Sequence, residues 1–168
     1  DQLESFLRDI AERGLKDGGP DSEFISYLDR KLSLCDGDFN LVVIDPEKSH
    51  FLIVNDSFGK LLLYQYHDDD SLVVSRDIRF IQKIKAIRDP DRYALAEFLM
   101  LKFTLAGKTH LRGVHRLPHG VYCRNRADRV PKFNSYTTWD LSENEFGRSI
   151  DRNAEDLVEL FLEVSENR

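Results

Sequence analysis

The sequence contains few sulfur-containing residues and few prolines. It contains two cysteines, one methionine and five prolines in 168 residues. Cys35 and Cys123 lie far apart and form no Cys-x-x-Cys spacing, so we expect a buried, reduced pair. No apolar run approaches the roughly 20 residues that cross a bilayer, and no signal-peptide pattern opens the sequence. We therefore predict a cytoplasmic chain with no membrane partner.

An excess of positive charge is also missing. The chain has 24 Lys and Arg against 30 Asp and Glu, which gives a net charge of −6. The basic residues form no stripe, and this argues against a nucleic-acid partner. Hydrophobic residues make up 41% of the chain and charged residues 32%, which is typical of a soluble domain. A chain of this length buries roughly two-thirds of its unfolded surface.

Three short apolar runs lie at the centre of the sequence, at residues 41–44, 51–54 and 61–66. Each is too short for a helix, and polar turns with Pro46 and Gly59 separate them. We predict a sequential antiparallel meander of three strands. The first run has no polar alternation, so we expect a strand covered on both faces.

Helical spacing of apolar residues occurs before and after this centre. Leu3, Phe6, Leu7 and Ile10 predict a first helix that Gly14 ends. Asp21 is suited to cap a second helix, which is predicted to bury an apolar face. That face comprises Phe24, Ile25, Leu28 and Leu32. Further helices are predicted after Asp77, after residues 89–91 and from Ala154 to the end.

The remaining segments predict extended structure. Residues 72–74 form a fourth strand, residues 111–123 a hairpin around Pro118-His119-Gly120, and residues 133–139 an extended piece. Residues 147–153 are predicted to be a linker. The spacing of apolar residues and the positions of the turns predict an α+β domain with an antiparallel core.

Side chains that could carry chemistry form no complete site in the sequence. His110, His115 and His119 are close together, but no carboxylate or thiolate is placed to converge with them on a metal. Residues 68–70 are three aspartates without the glycine and distal glutamate of a calcium loop. Ser57 and Ser75 lack a nucleophile-elbow setting, and no phosphate-binding glycine loop is present. The sequence thus predicts no metal site and no catalytic residue.

Seven segments nevertheless resemble, in order, segments of one enzyme family. Residues 20–25 (Pro-Asp-Ser-Glu-Phe-Ile) are similar to that family's Ser-Asp-Thr-Glu-Val-Leu. Residues 55–60 (Asn-Asp-Ser-Phe-Gly-Lys) resemble Arg-Asp-Arg-Phe-Gly, and residues 112–120 resemble Lys-Gly-Ile-x-x-Leu-Pro-Pro-Gly. The other four similar segments are residues 35–45, 74–79, 93–99 and 136–140.

The family that these segments resemble is the asparagine synthetase family, and within it the class II glutamine amidotransferase domain. The resemblance implies an N-terminal-nucleophile hydrolase fold, in which two stacked, mainly antiparallel sheets lie between helices. In that family an N-terminal cysteine attacks the glutamine amide and its α-amino group acts as base. The ammonia passes to a synthetase domain, where ATP and magnesium are expected; the resemblance implies no cofactor for this chain.

The sequence departs from this pattern at its first residue, which is Asp1 and not cysteine. The family's Arg-Gly-Pro-Asp-Gly and Asn-Gly-Glu segments are also absent, so we expect a fold that is incomplete at the N-terminus. Only Asp21 carries over as a substrate contact, because the resemblance implies that it receives the glutamine ammonium; a plain helix cap is the alternative. Asn55 and Ser57 stand where the family has arginines.

Two hypotheses follow from the resemblance. In the first, residues 1–146 are part of a glutaminase-like domain that is inactive by itself, and residues 147–168 lead into a synthetase-like domain. In the second, the domain is a degenerate, non-catalytic scaffold of a lactam-forming or peptide-cyclising synthetase homologue. In both, a synthetase-like partner is expected. Exposed strand edges also predict pairing with another copy of the chain.

Overall fold

The computed structural model describes residues 2–15, 21–32, 35, 37–125, 132–137 and 149–166. The chain divides into two compact units, residues 1–137 and 138–168. The first unit contains the helices α1 (Gln2–Gly14), α2 (Asp21–Leu32), α3 (Ile78–Lys85) and α4 (Arg92–Leu101). Its strands are β1 (Asn40–Asp45), β2 (His50–Asn55), β3 (Tyr64–His67), β4 (Leu72–Ser75), β5 (Val114–Arg116), β6 (Val121–Asn125) and β7 (Phe133–Ser135).

The strands form two antiparallel sheets. The first has the order β1-β2-β6-β7, and the second has the order β4-β3-β5. The two sheets stack, and helices flank them, so the predicted α+β architecture is confirmed.

Helices α1 and α2 cover one face of the first sheet. The predicted apolar faces supply Ile10, Phe24 and Leu28, which pack with Leu52 and Tyr122 in one buried cluster. Each of these side chains stabilises the fold by about 2 kcal/mol through removal of apolar surface from water. The two N-terminal helices are therefore as predicted, but Leu7 of the predicted face of α1 is 38% exposed.

The opposite face of the first sheet packs on the second sheet. Successive side chains of a strand point to opposite faces. Leu52 accordingly joins the helical cluster, whereas Ile53 lies in a second buried cluster with Leu63, Val121 and Cys123. This second cluster lies between the two sheets.

Two predicted strand pairings are wrong. The predicted third meander strand is β3, but it pairs with β4 and β5 in the second sheet and not with β2. The predicted hairpin at residues 111–123 is also absent, because β5 belongs to the second sheet and β6 to the first. Both connections cross between the sheets, and a short apolar run does not reveal which sheet it will join.

The prediction that residues 41–44 are covered on both faces is also wrong. Val42 is 54% exposed and Ile44 is 67% exposed. Among the described residues, strand β1 is one of the two edge strands of its sheet, and these two side chains border an open cleft. An edge strand with exposed apolar side chains is a template for further pairing.

The helices predicted after Asp77 and after residues 89–91 are confirmed as α3 and α4. Asp77 accepts a hydrogen bond from the backbone N–H of Arg79, and Asp91 accepts one from that of Ala94. Helix α3 buries Ile81 and contacts β3 and β4. Helix α4 likewise buries one residue, Ala94.

The second unit contains α5 (Ile150–Glu166), and this confirms the predicted final helix. Residues 150–153 form its first turn, so the predicted linker at residues 147–153 is wrong over that part. Residues 147 and 148 lie outside the described residues, as does Trp139 of the predicted extended piece. No helix among the described residues combines the length and apolarity that crossing a membrane requires.

Candidate functional site

Asp21, the substrate contact implied by the resemblance, is the first residue of α2. Its side chain lies outside the described residues. One turn later, the Phe24 ring meets Tyr122 edge to face at 5.5 Å between centroids. The Arg124 guanidinium lies 4.6 Å from the centre of the Phe24 ring. The start of α2 therefore lies against the end of β6, at one end of the first sheet.

Three of the resembling segments converge at a point that we call the Asn55 junction: residues 55–59, residues 118–120 and Tyr136. The Asn55 side chain donates from Nδ2 to the Pro118 carbonyl at 2.7 Å. It accepts at Oδ1 from the Val121 N–H at 2.8 Å. The Tyr136 hydroxyl donates to the Asn55 carbonyl at 2.7 Å. The junction thus links β2, β6 and the segment after β7.

Asp56 closes the tight turn within this junction. Its Oδ1 accepts from the N–H groups of Phe58 at 2.9 Å and Gly59 at 2.6 Å. Its carbonyl accepts from the Gly120 N–H at 3.0 Å. Gly59 has a φ of 59°, and a Cβ there would press on the His119 backbone. Glycine is therefore required for both the conformation and the close approach.

Asn55, Asp56 and Tyr136 of the Asn55 junction hold loops together through hydrogen bonds. Both ends of the Asn55 amide are used by backbone groups, so this residue cannot replace the charged contact of an arginine. Burial raises the pKa of Tyr136, whose hydroxyl is neutral at physiological pH. The sequence did not predict this role for Asn55 and Tyr136, although both fall in segments that carry the resemblance.

Neither cysteine is suited to nucleophilic attack. Cys123 is fully buried between the sheets, and burial raises its pKa to about 12. Cys35 is half-buried, donates from Sγ to the Lys31 carbonyl, and has a pKa raised by burial. The reactive form of cysteine is the thiolate, so both residues are inert thiols at neutral pH. Both are free, as predicted, but Cys35 is only partly buried.

The histidines and the acidic turn also serve local structure. The ring of His110 packs edge to face on Phe98, His115 pairs with Gln65 across two strands, and His119 lies against Gly59. Asp68 accepts from Lys85 Nζ at 2.7 Å, and this hydrogen bond lowers its pKa to about 2. Across the described part of the chain, no group of three or more histidine, cysteine or acidic side chains is arranged to hold a metal.

A cleft of about 620 Å³ opens between the sheets where β1 and β4 form their free edges. Val42, Ile44 and Ile53 line it from the first sheet, and Leu72 and Val74 line it from the second. Its size is in the range of ligand pockets. Its apolar lining and strand edges are equally suited to an added strand.

Comparison with known families gives one finding. A family described as "Glutamine amidotransferase domain" matches residues 23–137. The match covers the Asn55 junction and every strand, and Asp21 lies two residues before it. Comparison with curated proteins gives no match.

Proposed function

Because the chain belongs to the glutamine amidotransferase domain family, we propose that it forms part of the glutaminase-like domain of an asparagine-synthetase-like protein. In that role the domain binds glutamine, whose amide nitrogen becomes ammonia for ATP-dependent amide formation in a synthetase-like partner. Residues 1–146 are assigned to this domain, and residues 147–168 to the linker and first helix of the synthetase-like part.

The observation that supports this proposal best is the Asn55 junction. Residues 55–59, 118–120 and Tyr136 are far apart in sequence, yet they meet through direct hydrogen bonds. Segments that were recognised separately are thus parts of one structural unit. This is expected if the resemblance reflects a common fold and not a chance match of short motifs.

We also propose that these 168 residues do not hydrolyse glutamine by themselves. Amide hydrolysis in the family needs a thiolate nucleophile with an adjacent base. Cys123 is enclosed between the sheets, and Cys35 is partly buried with a raised pKa. No other residue of the chain is assigned a catalytic role.

Asp21 is proposed to bind the ammonium group of glutamine. A carboxylate accepts charge-assisted hydrogen bonds from an ammonium, and such bonds are about twice as strong as neutral ones. The position of Asp21 at the start of α2 supports this role, because that helix end lies against β6 near Arg124.

The test is glutamine-dependent ammonia release by the protein as its gene encodes it. Asp21→Asn is expected to raise KM for glutamine about thirtyfold, which corresponds to ~2 kcal/mol, with a smaller effect on kcat. Asp29→Asn makes the same chemical change on an exposed position of α2 and is expected to change neither constant. Equal effects of the two substitutions on KM would contradict the proposed role of Asp21 in glutamine binding.

The encoded reading frame separates this proposal from the scaffold alternative. A cysteine directly after the initiator methionine favours a glutaminase. An encoded product without such a cysteine, and without ammonia release, favours a non-catalytic scaffold that docks on an ATP-using synthetase. The inert environments of Cys35 and Cys123 are compatible with both.

We further propose that two copies of the chain associate through the edge of β1. In an antiparallel pairing centred on Val43, Val42 of one copy lies opposite Ile44 of the second. The exposed apolar side chains then cover each other, and the interface is the same patch on both copies. The exposure of Val42 and Ile44 on an edge strand supports this proposal.

A further inference from the structure

Helix α4 and the loop after it expose an unusual amount of apolar surface. Tyr93 is 80% exposed, Leu99 71% and Met100 81%. We call the exposed apolar residues of this region the α4 surface: Tyr93, Leu95, Phe98, Leu99, Met100, Leu101, Phe103 and Leu105. Isolated exposed apolar residues are normal, but a contiguous set of this kind marks an interaction site.

Polar contacts fix the loop of the α4 surface to the helix. Glu97 accepts from the Leu105 N–H at 2.9 Å and forms an ion pair with Lys108. This contact holds the loop with Phe103 and Leu105 against the helix. The Thr104 hydroxyl donates to the Lys108 carbonyl at 2.6 Å and fixes the same loop. A pre-ordered surface loses little conformational entropy when a partner binds.

The segment that carries this apolar surface is basic, although the chain as a whole is acidic, and Arg88 and Arg112 lie together near the start of α4. Residues 88–116 contain six Lys or Arg against three Asp or Glu, whereas the whole chain has 24 against 30. Two of the three acids are already used, because Asp91 caps α4 and Glu97 holds Lys108. Arg88, Arg92 and Arg112 are exposed and have no ion-pair partner among the described residues.

We propose that the α4 surface binds an acidic amphipathic helix of a partner protein. The apolar stripe of that helix packs on the ridge formed by Leu95 and Leu99, because rows of residues four apart on two helices interlock. Its acidic flanks face Arg88, Arg92 and Arg112. The inference rests on exposure and charge and is independent of the proposed glutaminase role.

Other occupants fit the surface less well. A second copy of the same surface would bring like charges together, which opposes association. A helix that lies on a membrane has a polar face opposite its apolar face. Helix α4 has no such face, because its charges stand at its ends and at Glu97, which is directed to Lys108.

The test uses the 168-residue chain and a fluorescent synthetic peptide of about 18 residues, long enough for five helical turns. The peptide carries leucine at helical spacing and glutamate elsewhere. Fluorescence anisotropy is expected to show saturable binding that weakens as salt increases. The same peptide with lysine in place of glutamate is expected to bind at least tenfold more weakly.

Substitutions test whether the peptide binds to the α4 surface. Leu99→Ser with Met100→Ser, and separately Arg92→Glu, are each expected to weaken binding at least tenfold. Ile84→Ser and Arg76→Glu alter an exposed apolar residue and an exposed cation elsewhere, and are expected to leave binding unchanged. Urea unfolding of each variant is expected to show that the fold is retained, because all five substituted residues are exposed.

Three results would overturn the proposal. The first is no peptide binding, or equal binding of the glutamate and lysine peptides. The second is that the chain binds vesicles of anionic lipid and loses this binding with Leu99→Ser and Met100→Ser. The third is a dimer that these same substitutions convert to monomer, which would make a second copy the occupant.

Discussion

Asn55 joins two strands of the first sheet through its side chain. It is almost fully buried, and its amide joins the Pro118 carbonyl and the Val121 N–H, which lie 63 and 66 residues further along the chain. A buried backbone group that loses its partner costs about 1–3 kcal/mol. The side chain therefore acts as a cross-link between the end of β2 and the start of β6.

Replacement of this side chain tests the Asn55 junction. Asn55→Ala is expected to lower the free energy of unfolding by about 2 kcal/mol, because the buried Val121 N–H and the part-buried Pro118 carbonyl lose their partner. Urea denaturation measures the change. Asn134→Ala, at an exposed position of β7, is the control and is expected to change stability by less than about 0.5 kcal/mol. Equal stability of the two variants would contradict the role given to Asn55.

At the scale of single residues, only part of the candidate functional site could be predicted from the sequence. Asp21 was singled out by the resemblance, and its position at the start of α2 was predicted from the sequence. The partners of Asn55 were not predicted, because Pro118 and Tyr136 are distant in sequence and no local pattern pairs them. The start of α3 at Asp77 was predictable, since the capping hydrogen bond is made two residues away.

Among the elements, helices were predicted better than strand pairings. The spacing of Ile10 or Leu28 within a helix depends on one segment alone. The partner of a strand depends on where the chain turns, and the corner at residues 55–60 directs β3 to the second sheet. The prediction that both faces of β1 are covered was wrong for a related reason. Coverage depends on a neighbouring element, and the spacing of apolar residues within β1 does not specify that element.

The edge of β1 gives a prediction at the scale of elements. The chain is expected to be a dimer at micromolar concentration, and Val42→Lys is expected to make it a monomer, because a charge on an edge strand opposes pairing. Light scattering measures the mass of both. Ile84→Lys places the same charge on an exposed apolar position of α3 and should leave the dimer intact. A monomeric parent chain would contradict the proposed association.

The whole molecule combines a retained framework with two cysteines that are poor nucleophiles. Stacked antiparallel sheets, the Asn55 junction and the family match agree on the class of domain. The burial of Cys123 and the raised pKa of Cys35 support the proposal that neither thiol attacks an amide. We therefore propose that the described residues provide a framework for glutamine binding and that the nucleophile is not Cys35 or Cys123.

Ammonia release from glutamine by the purified 168-residue chain tests this proposal most directly. The account predicts no release above the uncatalysed rate, both for the parent chain and for a variant that combines Cys35→Ala with Cys123→Ala. Ammonia release that persists in the double variant would show that a residue other than Cys35 or Cys123 acts as the nucleophile. Turnover that the double variant abolishes would show that one of these two thiols is reactive, and either result would contradict the central claim.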